Sequence, residues 1–534
     1  MLSGVHSYVL QGIDALPCEV ELDLDDVATP DESRKSTIVG LPDTGVKEAI
    51  ERVKSALANS GYSWPRGRAV INLAPADVRK EGPVYDLPIA VGALLVQGVI
   101  AGASGRPRFK GRLAKDAQAP SENGAPREPL DYRRYVFAGE LALDGRLRAI
   151  RGVIALAAMA KKTGALGVIV PADNAAEAAV VPGIEVYGAR TLNEVVGLLT
   201  GNLDVDPVPT PDIESLLQSA AAPVDFADVR GQESVKRAII VAAAGGHNIL
   251  MLGPAGTGKT MMAKALPGVL PPLTADEAVE ITRIYSAAGQ LAPGQGLITQ
   301  RPVRSPHHTA SGAAVVGGGM IPRPGEISLA HRGVLFMDEL PEFPRDVLET
   351  LRQPLEDHVV TIARSHSAVR FPANFMLVAA MNPTPKGDVA PGEVGQRAME
   401  RYLSRLSGPL LDRIDIHVEA PAVPWKELSQ APRGTTSAQM REQTMRARSI
   451  QQARQGATTP NARLSGRQLD ELAPMDEPAR SMLGRAMTEL GLSARAYDKV
   501  RRVSRTIADL EGSATVGVPH VAEAIQYRLL DRKL

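Results

Sequence analysis

The chain has 534 residues, with 60 Lys+Arg balanced by 60 Asp+Glu, so any contact with nucleic acid must come from a local patch. Hydrophobic residues at 44 % and charged residues at 22 % describe an ordinary globular protein of about three or four domains. The single Cys18 excludes an intramolecular disulfide and any cysteine-built zinc site, and no run of about 18 apolar residues offers a membrane span.

The opening MLSGVHSYVLQGIDAL lacks a basic start and a continuous apolar core. It does not read as a signal peptide, and a cytoplasmic location is expected. Residues 5–10 and 19–24 read as strands, and apolar positions at helical spacing predict a helix over 45–59. Residues 68–73 and 135–140 read as strands, 153–162 as helix and 167–170 as strand. Between them, residues 101–134 are rich in Gly, Pro and basic side chains without apolar periodicity, and read as a mobile insertion. Residues 1–203 thus form an α/β or α+β domain. Three prolines open the stretch 204–222, which reads as a linker.

Beyond the linker, strand and helix alternate to about residue 420, as a parallel nucleotide-binding sheet requires. Gly253, Pro254, Ala255, Gly256, Thr257, Gly258, Lys259 and Thr260 spell a complete phosphate-binding loop, preceded by an apolar strand and followed by a helical run. Its glycines let backbone N–H groups turn toward phosphate, Lys259 reaches the β/γ-phosphates of ATP, and the Thr260 hydroxyl is a Mg2+ ligand. The second nucleotide element is the apolar run 334–337 ending in Asp338 and Glu339. It places two carboxylates at a strand's C-terminal edge, Asp338 for Mg2+ and Glu339 to polarise the attacking water. A further strand, 375–380, leads to Asn382, which can orient that water. Hydrolysis also needs positive charge where the γ-phosphate leaves; Arg413 and Arg495 are candidates, and spacing alone singles out neither.

From residue 436 onward strands give way to helices, predicted over 440–455, 465–472, 477–491, 494–511 and 519–530. The pair His307-His308 lacks the neighbouring ligands of a metal site, so a loop-packing or DNA-facing role is expected.

The strings GGHNILMLGPAGTGKT, RSPHHTASGAAVVGGG, RPGEISLAHRGVLFMDELPEF and LSGPLLDRIDIH resemble the ComM/YifB family of magnesium-chelatase-like AAA+ proteins. The N-terminal STIVGLPDTGVKEAIERVKSALANSGY and C-terminal LSARAYDKVRRVSRTIADLEG resemble it too, so the likeness spans nearly the whole chain except 101–134. The resemblance implies an α/β P-loop AAA+ module over 223–425, a Lon-protease-like α+β domain over 1–203 and an all-helical lid over 436–534. It implies a ring, expected to be a hexamer, in which Arg413 is the finger reaching a neighbour's site and Arg495 the lid arginine. It also assigns residues 363–371 to a hairpin facing the pore, where Arg364, His366 and Arg370 would meet the phosphates of single-stranded, branched or forked DNA.

Two departures from the family pattern stand out. The four-Cys segment that family members commonly carry after the Asn-Pro is replaced by Asn382-Pro383-Thr384-Pro385-Lys386-Gly387-Asp388, so no zinc is expected. Where a Lon-type protease bears its nucleophilic Ser, this chain has Val84, so no proteolysis is expected. The leading expectation is an ATP-driven DNA motor for branch migration. The alternatives are a MoxR-type protein remodeller and a magnesium-chelatase motor, whose subunits are expected to lack the N-terminal domain.

Overall fold

A computed structural model describes residues 1–25, 36–100, 128–220, 222–319, 322–364, 367–384, 402–424, 434–457 and 459–528. The chain divides into two units, one of residues 1–215 with 278–298 and one of residues 216–277 with 299–534.

In the first unit, the long strands Leu2–Gln11 and Asp14–Asp25 pair antiparallel, and Arg68–Ala74 continues the sheet beside Asp14–Asp25. The short strand Thr37–Val39 runs parallel to Arg68–Ala74 at the edge. Along Arg68–Ala74 burial alternates, so Ala69, Ile71 and Leu73 enter the core while their neighbours stay partly solvated. The helices Ala49–Asn59 and Asp86–Val96 share that core. A second, parallel sheet orders Tyr135–Phe137, Gly167–Pro171 and Glu185–Ala189, with the helix Val153–Thr163 as crossover between the first two.

Every residue of Asp86–Val96 is buried, including Asp86 at its first turn. A buried carboxylate needs partners. Arg52 supplies two, with Nε 3.0 Å and Nη2 2.9 Å from the carboxylate oxygens, and the Leu141 N–H donates a third at 3.2 Å. Burial nevertheless pushes the Asp86 carboxyl up to about 6, against the pull of Arg52. Because this folded value lies above the ordinary 3.8, ionising Asp86 costs stability as pH climbs through that window, and Arg52 limits the cost. Arg52→Met is therefore expected to destabilise the first unit by about 3 kcal/mol at pH 8 and by clearly less at pH 5, measured by urea denaturation. An equal loss at both values would contradict this reading.

The second unit is built on five parallel strands in the order Val303–Arg304, Val334–Met337, Met376–Met381, Ile249–Leu252 and Ile416–Glu419. Except for Val303–Arg304, every residue of these strands but Glu419 is buried, as strands covered on both faces should be. After residue 434, the described residues hold helices and no strand: Ser437–Gln455, Gly466–Leu472, Glu477–Glu489, Ala494–Leu510 and Val518–Gln526. Their starts are written in the sequence. Thr436 with Gln439 and Ser465 with Gln468 form reciprocal capping boxes, and Asp476 and Ser493 cap the next two. Four of these helices pack into the core of the sheet, while Leu469 of Gly466–Leu472 forms a small cluster of its own with Leu464 and Ala473. Val500, Val503 and Ile507 join Ile416 and Val418 of the sheet in one apolar cluster.

That apolar contact has a charged centre. Asp415, just before the strand Ile416–Glu419, receives Lys499 Nζ at 2.6 Å, the Asn248 N–H at 3.3 Å, and lies 3.4 Å from His247 Nδ1. His247 Nε2 in turn meets Thr506 Oγ1 at 2.9 Å. Burial alone would raise the Asp415 carboxyl, but Lys499 and His247 outweigh it and hold it well below the ordinary carboxylate range. With the folded value below the unfolded value near 3.8, Asp415 contributes stability in full above that pH. The contribution is lost as pH falls through the folded value. Asp415→Asn is expected to cost about 3 kcal/mol at pH 7. In denaturation series the gap from wild type should hold from pH 8 to about pH 5 and narrow below about pH 4. A gap that widens toward acid would contradict the assignment.

Candidate nucleotide-binding site

The strand order brings three loops to one edge of the second unit's sheet. In register, Leu252 pairs with Met381 and Met337 with Ala379, so residues 253, 338 and 382 all emerge at neighbouring C-terminal strand ends. This is where ligands bind open α/β sheets.

The phosphate loop is shaped by close approach and by left-handed backbone. A Cβ on Gly253 would lie 2.1 Å from the Ala420 carbonyl oxygen, so only glycine fits there. Gly258, at φ +86°, turns the chain into the helix Lys259–Ala265 and aims that helix's free N–H groups into the loop. Thr257 Oγ1 closes the loop on the Pro254 carbonyl at 3.1 Å. Lys259 is buried, and its Nζ donates to the carbonyls of Gly253 at 2.7 Å and Pro254 at 2.8 Å and to Asn382 Oδ1 at 3.2 Å. Burial lowers the Lys259 ammonium from its ordinary value, while Asp338 and Glu339 pull it back up. Lys259 and Asn382, far apart in sequence, thus share one hydrogen bond at the sheet edge.

The Thr260 hydroxyl donates to Asp338 Oδ2 at 3.0 Å. A hydroxyl and a carboxylate side by side are hard oxygen donors, and they fit Mg2+, which keeps part of its water shell and takes few protein ligands. Glu339 sits in left-handed backbone at φ +51° and ψ +47°, its N–H held by Asp338 Oδ1 at 3.0 Å. That conformation is unfavourable for a side chain larger than glycine. It turns Glu339 off the line of the strand toward the same edge.

The remaining sequence candidates fall into two groups. Arg413 is held on its own chain, donating to the Pro409 carbonyl and to Glu356. Arg495, largely exposed, lies 3.6 Å from Asp412 at the start of the helix Ala494–Leu510. Neither is hydrogen-bonded to Lys259, Asp338, Glu339 or Asn382. The strands Val359–Arg364 and Ser367–Pro372 pair as an antiparallel hairpin with Thr361 opposite Arg370. Val360, Ile362, Val369 and Phe371 pack inward, leaving Arg370 exposed on the other face. His366 lies outside the described residues, as do 385–388 of the segment that replaces the four-Cys element, and most of the 101–134 insertion.

Two side chains at this edge make contacts that sequence reasoning did not foresee, one of them on the His-His pair it had named. His308 Nδ1 lies 3.2 Å from Glu339 Oε2, and its ring packs against His307 and Phe343. Gln232, in left-handed backbone at φ +62°, donates to the Pro421 carbonyl at 2.7 Å and reaches the Thr257 carbonyl at 3.4 Å, bracing the phosphate loop. No spacing rule marks either position, since both contacts join segments distant in sequence.

Similarity to known proteins runs along nearly the whole chain. A model described as magnesium chelatase, subunit ChlI, matches residues 225–428, and its C-terminal counterpart matches 434–528. A model described as subunit ChlI of Mg-chelatase matches residues 26–133 and 123–174. The competence protein ComM of Haemophilus influenzae is 43% identical over 503 residues, covering 93% of this chain and 92% of that protein. The YifB protein of Escherichia coli is 41% identical over 538 residues, covering 100% and 98%. The magnesium-chelatase 38 kDa subunit of Rhodobacter capsulatus is 25% identical over 329 residues, covering 58% of this chain. On the near full-length identity to ComM and YifB, and on the chelatase-type models across the second unit, the chain belongs to the ComM/YifB family of magnesium-chelatase-like AAA+ proteins.

Proposed function

We propose that this protein hydrolyses ATP and uses the energy to move DNA, as a ring-forming motor in branch migration of recombination intermediates. The observation that carries the ATPase reading is the convergence of Lys259, the Thr260–Asp338 pair, Glu339 and Asn382 on one sheet edge. Lys259 would neutralise the β/γ-phosphates, Thr260 and Asp338 would hold Mg2+, Glu339 would accept a proton from the attacking water, and Asn382 would orient that water. Mg2+ supplies charge neutralisation on the transferred phosphoryl group.

We read residues 1–203 as a non-proteolytic Lon-like domain, because Val84 offers no nucleophilic atom. We read 204–222 as a linker, 223–425 as the ATPase domain and 436–534 as its lid. Arg413, on its short turn, is assigned to the finger that completes a neighbour's site, and Arg495, at the first turn of its helix, to the γ-phosphate. Exposed Arg370 on the hairpin supports a DNA-phosphate contact, and Arg364 and His366 are assigned the same role. The relative named a competence protein supports DNA as the substrate class.

A second reading has its own support. It is supported by the chelatase-type model that matches residues 26–133 and 123–174, which extends the likeness to chelatase into the N-terminal unit. A motor acting on a protein or metal-insertion complex would show ATPase activity unaffected by DNA.

Glu339→Gln is expected to keep ATP binding and assembly while losing at least about 100-fold in hydrolysis and all junction migration. Single-turnover ATPase and a Holliday-junction assay check it, and migration at the wild-type rate would sink the motor reading. Arg370→Ala is expected to weaken DNA binding and to lower the logarithmic salt slope by about one, read by fluorescence anisotropy across a salt series. An unchanged slope would remove Arg370 from the DNA contact. ATPase stimulation by branched DNA separates the two readings.

A further inference from the structure

Four arginines of the second unit gather at the sheet edge opposite the phosphate loop, where the strands begin. Arg332 precedes the strand Val334–Met337, and Asn374, two residues before Met376–Met381, accepts from the Arg463 guanidinium. The Arg332 N–H donates to the Asn374 carbonyl at 2.5 Å, which locks the two loops together. Arg301, before the edge strand Val303–Arg304, donates Nη1 to the Arg332 carbonyl at 2.6 Å and Nη2 to Glu277 Oε2 at 2.9 Å. Arg332 Nη1 lies 3.6 Å from the other oxygen of Glu277. Arg448 closes the group: its Nη2 donates to the Ala243 carbonyl at 3.1 Å, just ahead of the strand Ile249–Leu252. A Cβ on Gly246 would lie 3.3 Å from that Nη2 and 3.2 Å from Pro460, whose carbonyl accepts the Arg463 N–H.

These charges are not balanced. Glu277 meets Arg301 and Arg332, and Asp357 stands beside His358. Among the described residues, Arg448 and Arg463 have no carboxylate within 4.0 Å, and Arg448 Nε has no hydrogen-bond partner. Burial, then the charges of Arg301 and Arg463, lower the Arg448 guanidinium to about 10, and Glu277 opposes them. Burial and then Arg463 push His358 down to about 4, so the ring stays neutral and adds no charge of its own. Cations left without counter-charge repel one another, and an arriving anion removes that cost. Arg463 is exposed and Arg332 about a third exposed, so the group is reachable from solvent.

We propose that this cluster is an anion site in which Arg463 and Arg332 take a phosphodiester of a nucleic acid strand, while buried Arg448 adds its field. The proposal rests on the reading of this protein as a DNA motor and adds to it a contact apart from Arg370. Continuity identifies the occupant. The hairpin that carries Arg370 starts and ends at this edge, its base closed by the Ala373 N–H on the His358 carbonyl at 2.8 Å. From Arg370 to Asn374 the extended chain spans about 13 Å, whereas phosphates along one strand recur at roughly 3.4 Å. The two arginine sites therefore engage different phosphates of one strand. Guanidinium groups take phosphate oxygens in paired bonds and read no base there, so the contact carries no sequence preference. With 60 Lys+Arg balanced by 60 Asp+Glu in the whole chain, binding to a polyanion depends on such a local surplus.

The test uses the full-length protein with a fluorescein-labelled oligothymidylate, a labelled Holliday junction and inorganic phosphate. In Arg463→Gln the oligothymidylate affinity is expected to fall about three- to tenfold at low salt, and the logarithmic salt slope by about 0.7. The thermal midpoint should stay near wild type, because Arg463 is exposed. Arg463→Lys keeps the charge and should keep the slope, and Arg332→Gln is a second variant with the same expected loss as Arg463→Gln. Combining Arg463→Gln with Arg370→Ala should lower the slope by the sum of the two single effects. Wild-type affinity and slope in Arg463→Gln and Arg332→Gln, with binding weakened in Arg370→Ala, overturn this site alone. Failure of the wild-type protein to bind either DNA overturns both the DNA reading and this inference. Inorganic phosphate that raises the thermal midpoint of wild type but not of Arg463→Gln, at equal DNA affinity, makes this a free-phosphate site and overturns the proposal. Altered assembly of Arg463→Gln in the ultracentrifuge, again at equal DNA affinity, makes the occupant an acidic surface of a neighbouring subunit and overturns it too.

Discussion

The second unit depends on one buried carboxylate. Asp415 leads into the strand Ile416–Glu419, and Lys499 lies one helical turn after Arg495 on the helix Ala494–Leu510. Their ion pair fixes the axial position of that helix against the sheet, which apolar contacts alone, being non-directional, do not. A second rung, Asp412 to Arg495 at 3.6 Å, continues the same ladder to the surface. A buried ion pair is a poor source of net stability, since matched apolar residues often do as well. Its value here is register: it ties the turn that carries Arg413 to the helix that carries Arg495, so the two arginines keep a fixed relation through one pair of charges.

The nucleotide edge follows from strand order. The strand Ile249–Leu252 lies between Met376–Met381 and Ile416–Glu419, and the acidic strand Val334–Met337 stands one place further out. Parallel strands end on the same side, so the phosphate loop, the acidic pair and Asn382 meet without any of them reaching far. The contacts across that edge are few: hydrogen bonds from Lys259 to Asn382 and from Thr260 to Asp338, and the approach of His308 to Glu339. Each joins two loops leaving different strands or connections. A polar site assembled this way is as rigid as the sheet beneath it.

Much of the fold was legible in advance because surface helices and half-buried strands carry their own periodicity. The helix Val153–Thr163 and the strand Arg68–Ala74 lie within a residue of where their apolar spacing puts them. The C-terminal helices are announced by their caps as much as by their faces. The helix Asp86–Val96 was not legible. It is buried on every side, so it has no polar face and no period to detect, and its one charge, Asp86, is balanced by Arg52 from another helix. The strand Glu185–Ala189 escaped as a short, mostly apolar run, whereas the helix Leu192–Thr200 carries its own signals, the Thr191 cap and buried Leu192, Val195, Val196 and Leu199 at helical spacing, and was simply not identified.

The sequence alone determined the local chemistry: a phosphate loop with the glycines its backbone requires, a strand ending in two carboxylates, and helices with their stop and start signals. These depend on neighbours along the chain, where steric limits and capping bonds act at a range of a few residues. Tertiary structure alone decided which distant groups face each other. It placed Asn382 on Lys259, Glu356 on Arg413, Lys499 on Asp415 and His308 on Glu339. Such pairings are set by strand order and by which buried charge must find a partner. No residue's own type or spacing encodes them, because the energy that selects them exists only once the sheet has closed around them.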